Sequence, residues 1–246
     1  MRAVVIGHIE WIDFLRVEDV PKQGEIIHAE EAWAEAAGGG AVAAVQLANL
    51  GCDTSFFTAL GDDDLGRRSS EELEAHGVRM HVQWVAEPQR RGVTFVDAAG
   101  ERTITVIGEK HRPRGDDATL PWEELRRADG VYFTGGDVQA LTKARHARVL
   151  VATARELATL QRSAVELDAL VGSAIDEGEQ YQPGDLDPPP RLAVATSGRL
   201  GGWAQPGGPF AAAPLPGPVA DTYGAGDCFA AGLTYALASG MDGGGR

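Results

Sequence analysis

The chain has 246 residues, with 22 Lys+Arg against 36 Asp+Glu for a formal charge of −14, and 43% of its residues are hydrophobic. Those values suit one large α/β domain with a full core and exclude wholesale disorder. The acidic balance excludes nucleic acid as the main partner, because phosphate backbones need clustered Lys and Arg.

The first run, Ala3–Gly7, is short and β-branched and reads as a strand, too short for a signal peptide. Ala41–Leu50 has helical apolar spacing and stops at Gly51. Ser55–Leu60 reads as a buried strand, and Gly66–His76 as a charged helix ended by Gly77. Arg91–Ile107 breaks this alternation: two β-branched arms flank a glycine-containing loop, which predicts a hairpin. We expect it to join a segment from about Trp11 to Ala34 in a small sheet standing off the main one. Gly130–Thr134, Val149–Ala152 and Leu192–Thr196 read as core strands, with a helix between the first two. The Gly- and Pro-rich stretch from Gly201 to Pro218 reads as a short strand with loops.

Cys52 and Cys228 form neither a CxxC pair nor a disulfide framework, so a reducing compartment is expected. No run of 18 apolar residues occurs, so no membrane partner is expected. A cytoplasmic protein follows. The only lysines are Lys22, Lys110 and Lys143, and no GxxxxGK[ST], HExxH, GxSxG or GxGxxG appears. A Walker-type loop is excluded.

The chemistry concentrates near the C-terminus. Asp221-Thr222-Tyr223-Gly224-Ala225-Gly226-Asp227 precedes a stretch in which Phe229, Leu233 and Leu237 recur every four residues, the stripe of a helix. Gly224, Ala225 and Gly226 thus lie at a helix N-terminus, where free N–H groups and the dipole suit a phosphate or a developing anion. Asp227, at the same end, can accept a proton. As an isolated pattern, this reads first as helix-start carboxylates with glycines serving a tight turn.

The full string DTYGAGD closely resembles the C-terminal signature of the ribokinase-like (PfkB-type) carbohydrate kinases. Ala37-Gly38-Gly39-Gly40-Ala41 resembles the family's N-terminal glycine signature, and Gly61-Asp62-Asp63-Asp64-Leu65-Gly66 its G-x-D-x-x-G segment. The Gly92–Ile107 hairpin stands where the family has its β-lid, and Thr196–Gly201 where it has its nucleotide loop. The resemblance covers roughly residues 3 to 240. It implies a three-layer α/β/α sandwich with a mostly parallel central sheet and a small β-lid, as one domain over residues 1–246.

The resemblance also implies roles. Asp227 would be the base that takes a proton from a substrate hydroxyl, with Gly224, Ala225 and Gly226 as the anion hole. Gly38, Gly39 and Gly40, with Asp13 and Glu10, would line the acceptor. Thr196, Gly198, Gly201 and Thr222 would bind the nucleotide. Asp221 would help hold a monovalent cation such as K+, and Asp176 or Glu177 would order the magnesium water network. ATP and Mg2+ are the implied cosubstrate and metal, the acceptor is a sugar-like or nucleoside-like alcohol, and two copies can pair through the lid. Two positions depart from the family: Val42 stands where an Asn is usual, and Ile12 where the substrate Asp is usual. Beyond the catalytic helix, the glycine-rich Ser239–Arg246 replaces further helices of the family, so weak nucleotide binding with little adenine preference is expected. The alternative reading is a catalytically weak relative that senses a nucleotide or sugar.

Overall fold

The computed structural model describes residues 1–215, 217 and 222–241. Asp221, expected at a cation, and residues 242–246, expected to leave the nucleotide side open, lie outside the described residues. The strands are β1 (Arg2–Ile6), β2 (Glu10–Arg16), β3 (Glu31–Ala37), β4 (Asp53–Gly61), β5 (Arg79–Val85), β6 (Arg91–Val96), β7 (Arg102–Ile107), β8 (Gly130–Phe133), β9 (Val149–Thr153), β10 (Ala169–Ser173), β11 (Ala193–Thr196), β12 (Gly202–Gln205) and β13 (Gly208–Phe210). The helices are α1 (Gly39–Asn49), α2 (Asp64–Ala75), α3 (Val138–Ala144), α4 (Leu157–Ser163) and α5 (Ala225–Ala238).

A nine-stranded sheet runs in the order β13-β12-β11-β10-β9-β8-β1-β4-β5. It is parallel from β11 to β5, and antiparallel only where β12 and β13 close the edge. Its strands are apolar on both faces because helices cover both. Val5, Phe56, Val151 and Val171 pack with α1 and α5 on one side, while Ile6, Phe133, Leu150 and Leu170 pack with α3 and Leu160 of α4 on the other. The result is three layers. The chain runs outward from β1 through β4 to β5, then returns to the other side of β1 with β8 and continues to β11. The switch point therefore lies between β1 and β8, where open α/β sheets bind their ligands beyond the carboxyl ends of the strands.

A separate four-stranded sheet, in the order β3-β2-β6-β7, holds the 91–107 hairpin and residues 10–37. Its pleat settles which side chains face the rest of the molecule. Ile12 and Phe14 cluster with Ala37 and Val96, and Trp33 and Tyr223 pack on them.

Two sequence expectations need correction. Strands β5 and β10 and helix α4 were not anticipated; Arg79, His81 and Gln83 interrupt the apolar character of β5, which lies at the sheet edge. In α5 the fully buried side chains are Ala230, Ala231, Thr234 and Ala238, whereas Phe229, Leu233 and Leu237 are only partly buried. The reason is close packing. A Cβ at Gly130 of β8 would stand 2.9 Å from Ala238 Cβ and 3.2 Å from Thr234 Cγ2, so only small residues fit under this helix.

Candidate active site

Four segments meet at the switch point: Gly7–Glu10 after β1, the Gly38–Gly40 turn into α1, Thr134–Gly136 after β8, and the start of α5. Their approach is closer than any side chain but hydrogen allows. A Cβ at Gly39 would stand 2.6 Å from Asp227 Oδ1 and 3.1 Å from Thr134 Oγ1, and one at Gly40 would stand 2.6 Å from the His8 carbonyl oxygen. Gly38 adopts φ 87°, a backbone conformation suited to glycine. The glycine turn thus brings the α1 backbone directly against the Asp227 carboxylate.

Helix α5 begins at Gly224, which has φ 70° and no side-chain cap. The Ala225 N–H turns back to the Thr222 carbonyl at 3.4 Å, so of the three residues expected to form the anion hole, Ala225 is already engaged. Among the described residues, none accepts from the N–H of Gly226 or Asp227, and a Cβ on Gly226 would meet nothing within 4 Å. This is open, electropositive backbone. Gly224 itself is packed: its Cβ would stand 2.7 Å from Val42 Cγ1. Gly224→Ala is therefore expected to lose on the order of 1–2 kcal/mol for the left-handed backbone, and more for the clash. Urea melts should show Val42→Ala recovering only the clash part in the double variant.

Burial, and next the Glu179 carboxylate, raise the Asp227 carboxyl from the ordinary 3.8 to about 6, against the opposing pull of Arg102, Arg155 and Lys110. At neutral pH it is ionised yet basic enough to take a proton.

Tyr223 ties the two sheets together. Its hydroxyl accepts from the Gly38 N–H at 2.9 Å, and its ring meets Phe14 edge-on at 5.2 Å, which in turn stacks on Trp33 at 5.0 Å. The Arg102 guanidinium, carried by β7, lies 5.5 Å over the same ring and donates to the Thr222 carbonyl at 2.8 Å. Tyr223→Phe leaves the Gly38 donor without that acceptor and should cost about 0.5–1.5 kcal/mol, read as a lower melting midpoint.

Glu10 and Asp13, both expected at the acceptor, are separated by the pleat. Glu10 lies beside Gly38, whose Cβ would stand 3.3 Å from Glu10 Cγ. Asp13 alternates with Ile12 and Phe14 and projects from the opposite face, the one on which Trp11 meets Arg68 of α2. Asp13 is thereby removed from the site.

On the far side, Thr196 Oγ1 donates to the Gly172 carbonyl at 3.2 Å. Gly198 has φ 55° with open space around it, whereas Gly201 is a structural glycine whose Cβ would stand 2.0 Å from the Phe210 carbonyl. Thr222 is exposed. Asp176 is held by Arg155 at 2.5 Å and caps the Gly178 N–H at 2.8 Å, while Glu177 is exposed. Arg155 also binds Glu179 at 2.8 Å, and Glu179, not Asp176 or Glu177, is the carboxylate that acts on Asp227. Glu179 was missed in the sequence. Its signal was the spacing Asp176-x-x-Glu179, which sets a second carboxylate one tight helical turn beyond Asp176.

The fold and this constellation define a ribokinase-like protein. The model of the pfkB family of carbohydrate kinases matches residues 2–165 and 144–244, and the chain belongs to that family. It is 26% identical over 269 residues to an ATP-dependent ribose-1-phosphate kinase of Halopiger xanaduensis, covering 95% of this chain and 83% of that protein. It is 31% identical over 109 residues to a ribokinase of Arabidopsis thaliana, but that match covers 43% of this chain and only 29% of the relative. Among solved structures, ribokinase from Cryptococcus neoformans in complex with ADP superposes with a TM-score of 0.72 at 25% identity, over 98% of this chain and 88% of that one. No helix among the described residues is long and apolar enough to cross a membrane.

Proposed function

We propose that this sugar kinase transfers the γ-phosphoryl group of ATP to a hydroxyl of a small sugar-like or nucleoside-like acceptor. The observation that carries the reading is the Asp227 carboxylate, raised to about 6 and set at the open N-terminus of α5 against Gly39. The acceptor oxygen forms a bond to phosphorus as the bond to the β-phosphate oxygen breaks, and its proton passes to Asp227. The free N–H groups of Gly226 and Asp227 face the charge on the phosphoryl oxygens. Arg102, reaching over from β7, adds a cation whose charge is felt at Asp227.

The acceptor lies along Gly38, Gly39 and Glu10, and the nucleotide toward Thr196 and Gly198. A magnesium ion would be held mainly by phosphate and water. Glu179 and Asp176 would be its outer partners. The small sheet acts as a lid that excludes water, and its Ile104 and Val106, 40% and 42% exposed, lie on the Phe14 face. They suit closure on the ligand or on a second copy.

The test is a coupled assay for ADP with a panel of sugars and nucleosides. Acceptor-dependent ADP release is expected; release with no acceptor on the panel would overturn the reading.

A further inference from the structure

Helix α5 is entered through a four-residue turn, Thr222 to Ala225, closed by the Ala225 N–H and the Thr222 carbonyl. Gly224 holds its third place at φ 70° and ψ 5°, the values of a type II turn, where glycine is favoured. The closing bond is long. Its 3.4 Å lies outside the roughly 2.7–3.2 Å of ordinary N–H···O bonds. The same carbonyl has a second donor from 120 positions away: Arg102 Nη1 reaches it at 2.8 Å. That bond is charge-assisted and the stronger of the two. The guanidinium holds the oxygen, and the Ala225 amide is left at the margin of a bond.

Arg102 belongs to the lid. It stands on β7 opposite Val96, so the pleat puts it on the face of the small sheet that carries Phe14. From that face its guanidinium lies 5.5 Å over the Tyr223 ring, which Phe14 meets edge-on at 5.2 Å. Two lid side chains thus grip residues 222 and 223, directly before the helix start. The same cation acts on the base. Burial and then Glu179 raise the Asp227 carboxyl to about 6, and Arg102 comes first among the cations that oppose the rise, ahead of Arg155 and Lys110. One lid side chain therefore bears on both the donors and the base.

We propose that Arg102 is the positioning residue through which the lid readies the anion hole: its guanidinium draws the Thr222 carbonyl off the Ala225 N–H and leaves that N–H to an anion at the start of α5. With the lid swung away, the carbonyl takes the Ala225 N–H back into the turn, and the hole keeps only the N–H groups of Gly226 and Asp227. ATP without an acceptor under a closed lid then meets an incomplete hole. This rests on the kinase reading above and adds to it the control of the same site.

Arg102 is exposed, so the melting midpoints of its variants should stay near that of the parent. Arg102→Met should lower kcat by roughly 10-fold or more, towards the loss of a full oxyanion donor, with acceptor KM changed less. The acid limb of its kcat–pH profile should move up by about half a pH unit or more, because a cation that acts on Asp227 is gone. Arg102→Lys should return the limb to its parental place but not the full kcat, since a lone ammonium lacks the planar fork that holds the carbonyl while lying over the ring. Hydrogen exchange followed by NMR reads the turn without turnover. The Ala225 amide should exchange several-fold more slowly in Arg102→Met, as its bond to Thr222 tightens, whereas mere loosening of the lid would speed it. Parental kcat in Arg102→Met would overturn the proposal. So would an acid limb that stays or moves down, or an Ala225 amide exchanging as fast as in the parent or faster. If nothing is phosphorylated, the kinase reading fails and exchange alone decides: a slower Ala225 amide leaves this inference standing, and an unchanged or faster one ends it.

Discussion

Asp227→Asn should fold and bind both substrates, yet lose turnover by roughly 10²- to 10⁴-fold, the usual contribution of a positioned general base. The same substitution should stabilise the protein at neutral pH. The carboxyl titrates at about 6 in the fold against an ordinary 3.8, so the folded state binds the proton more tightly than the unfolded chain. For a group raised in this sense, ionisation costs stability above pH 6, and the cost disappears as pH falls below about 4. At 1.36 kcal/mol per pKa unit the full gap is worth about 3 kcal/mol. Partial solvent access brings it to the order of 1–3 kcal/mol. Urea melts at pH 7.5 and 4 should show the Asn variant ahead at the first and level at the second. Turnover of the parent should fall below pH 6 as the base protonates. A variant with near-parental kcat would remove Asp227 from the chemistry.

Gly39→Ala should likewise separate stability from activity. Gly39 is the first residue of α1, where alanine is a better helix former. The new Cβ would stand 2.6 Å from Asp227 Oδ1, the free end of a side chain, so the carboxylate can swing aside at little cost to the fold. Thr134 Oγ1, 3.1 Å from the same Cβ, prevents the alanine from relaxing the other way. Moving the base by about 1 Å is expected to cost on the order of 10²-fold in kcat. The melting midpoint should shift by less than a few degrees, with acceptor KM changed less than kcat. Full activity in Gly39→Ala would mean that the acceptor hydroxyl does not meet Asp227 where the turn holds it.

Much of the site was legible because it is local. The small residues 224–226, the acid at 227 and the four-residue apolar recurrence behind them all lie within one helix start, so chain spacing alone places free N–H groups beside a carboxylate. The hairpin was legible for the same reason, since its two arms and their loop are contiguous. The α5 stripe shows the limit. Phe229, Leu233 and Leu237 mark a helix correctly, but the deeply buried face is the alanine face, because Gly130 and the neighbouring strands leave no room for larger side chains.

What the sequence by itself determined is the α/β alternation, the separate hairpin and the helix start that carries Asp227, all consequences of short-range periodicity and turn chemistry. Tertiary structure alone decided four further matters. Strand parity put Glu10 beside Gly38 and turned Asp13 to the other face of the small sheet. The path after β10 set Glu179, rather than Glu177, within electrostatic reach of Asp227. Packing of α1 against α5 drew Asp227 out of water far enough to raise its pKa, and burial is not written in a motif. The approach of the segments before β6, after β7 and after β9 to the end of β1 gathered Arg90, Lys110 and Arg112 around Glu10 and Glu156, residues up to 146 positions apart (156 − 10). Each is a long-range approach between residues whose separation along the chain carries no signal of their meeting. Only the closed fold fixes such distances.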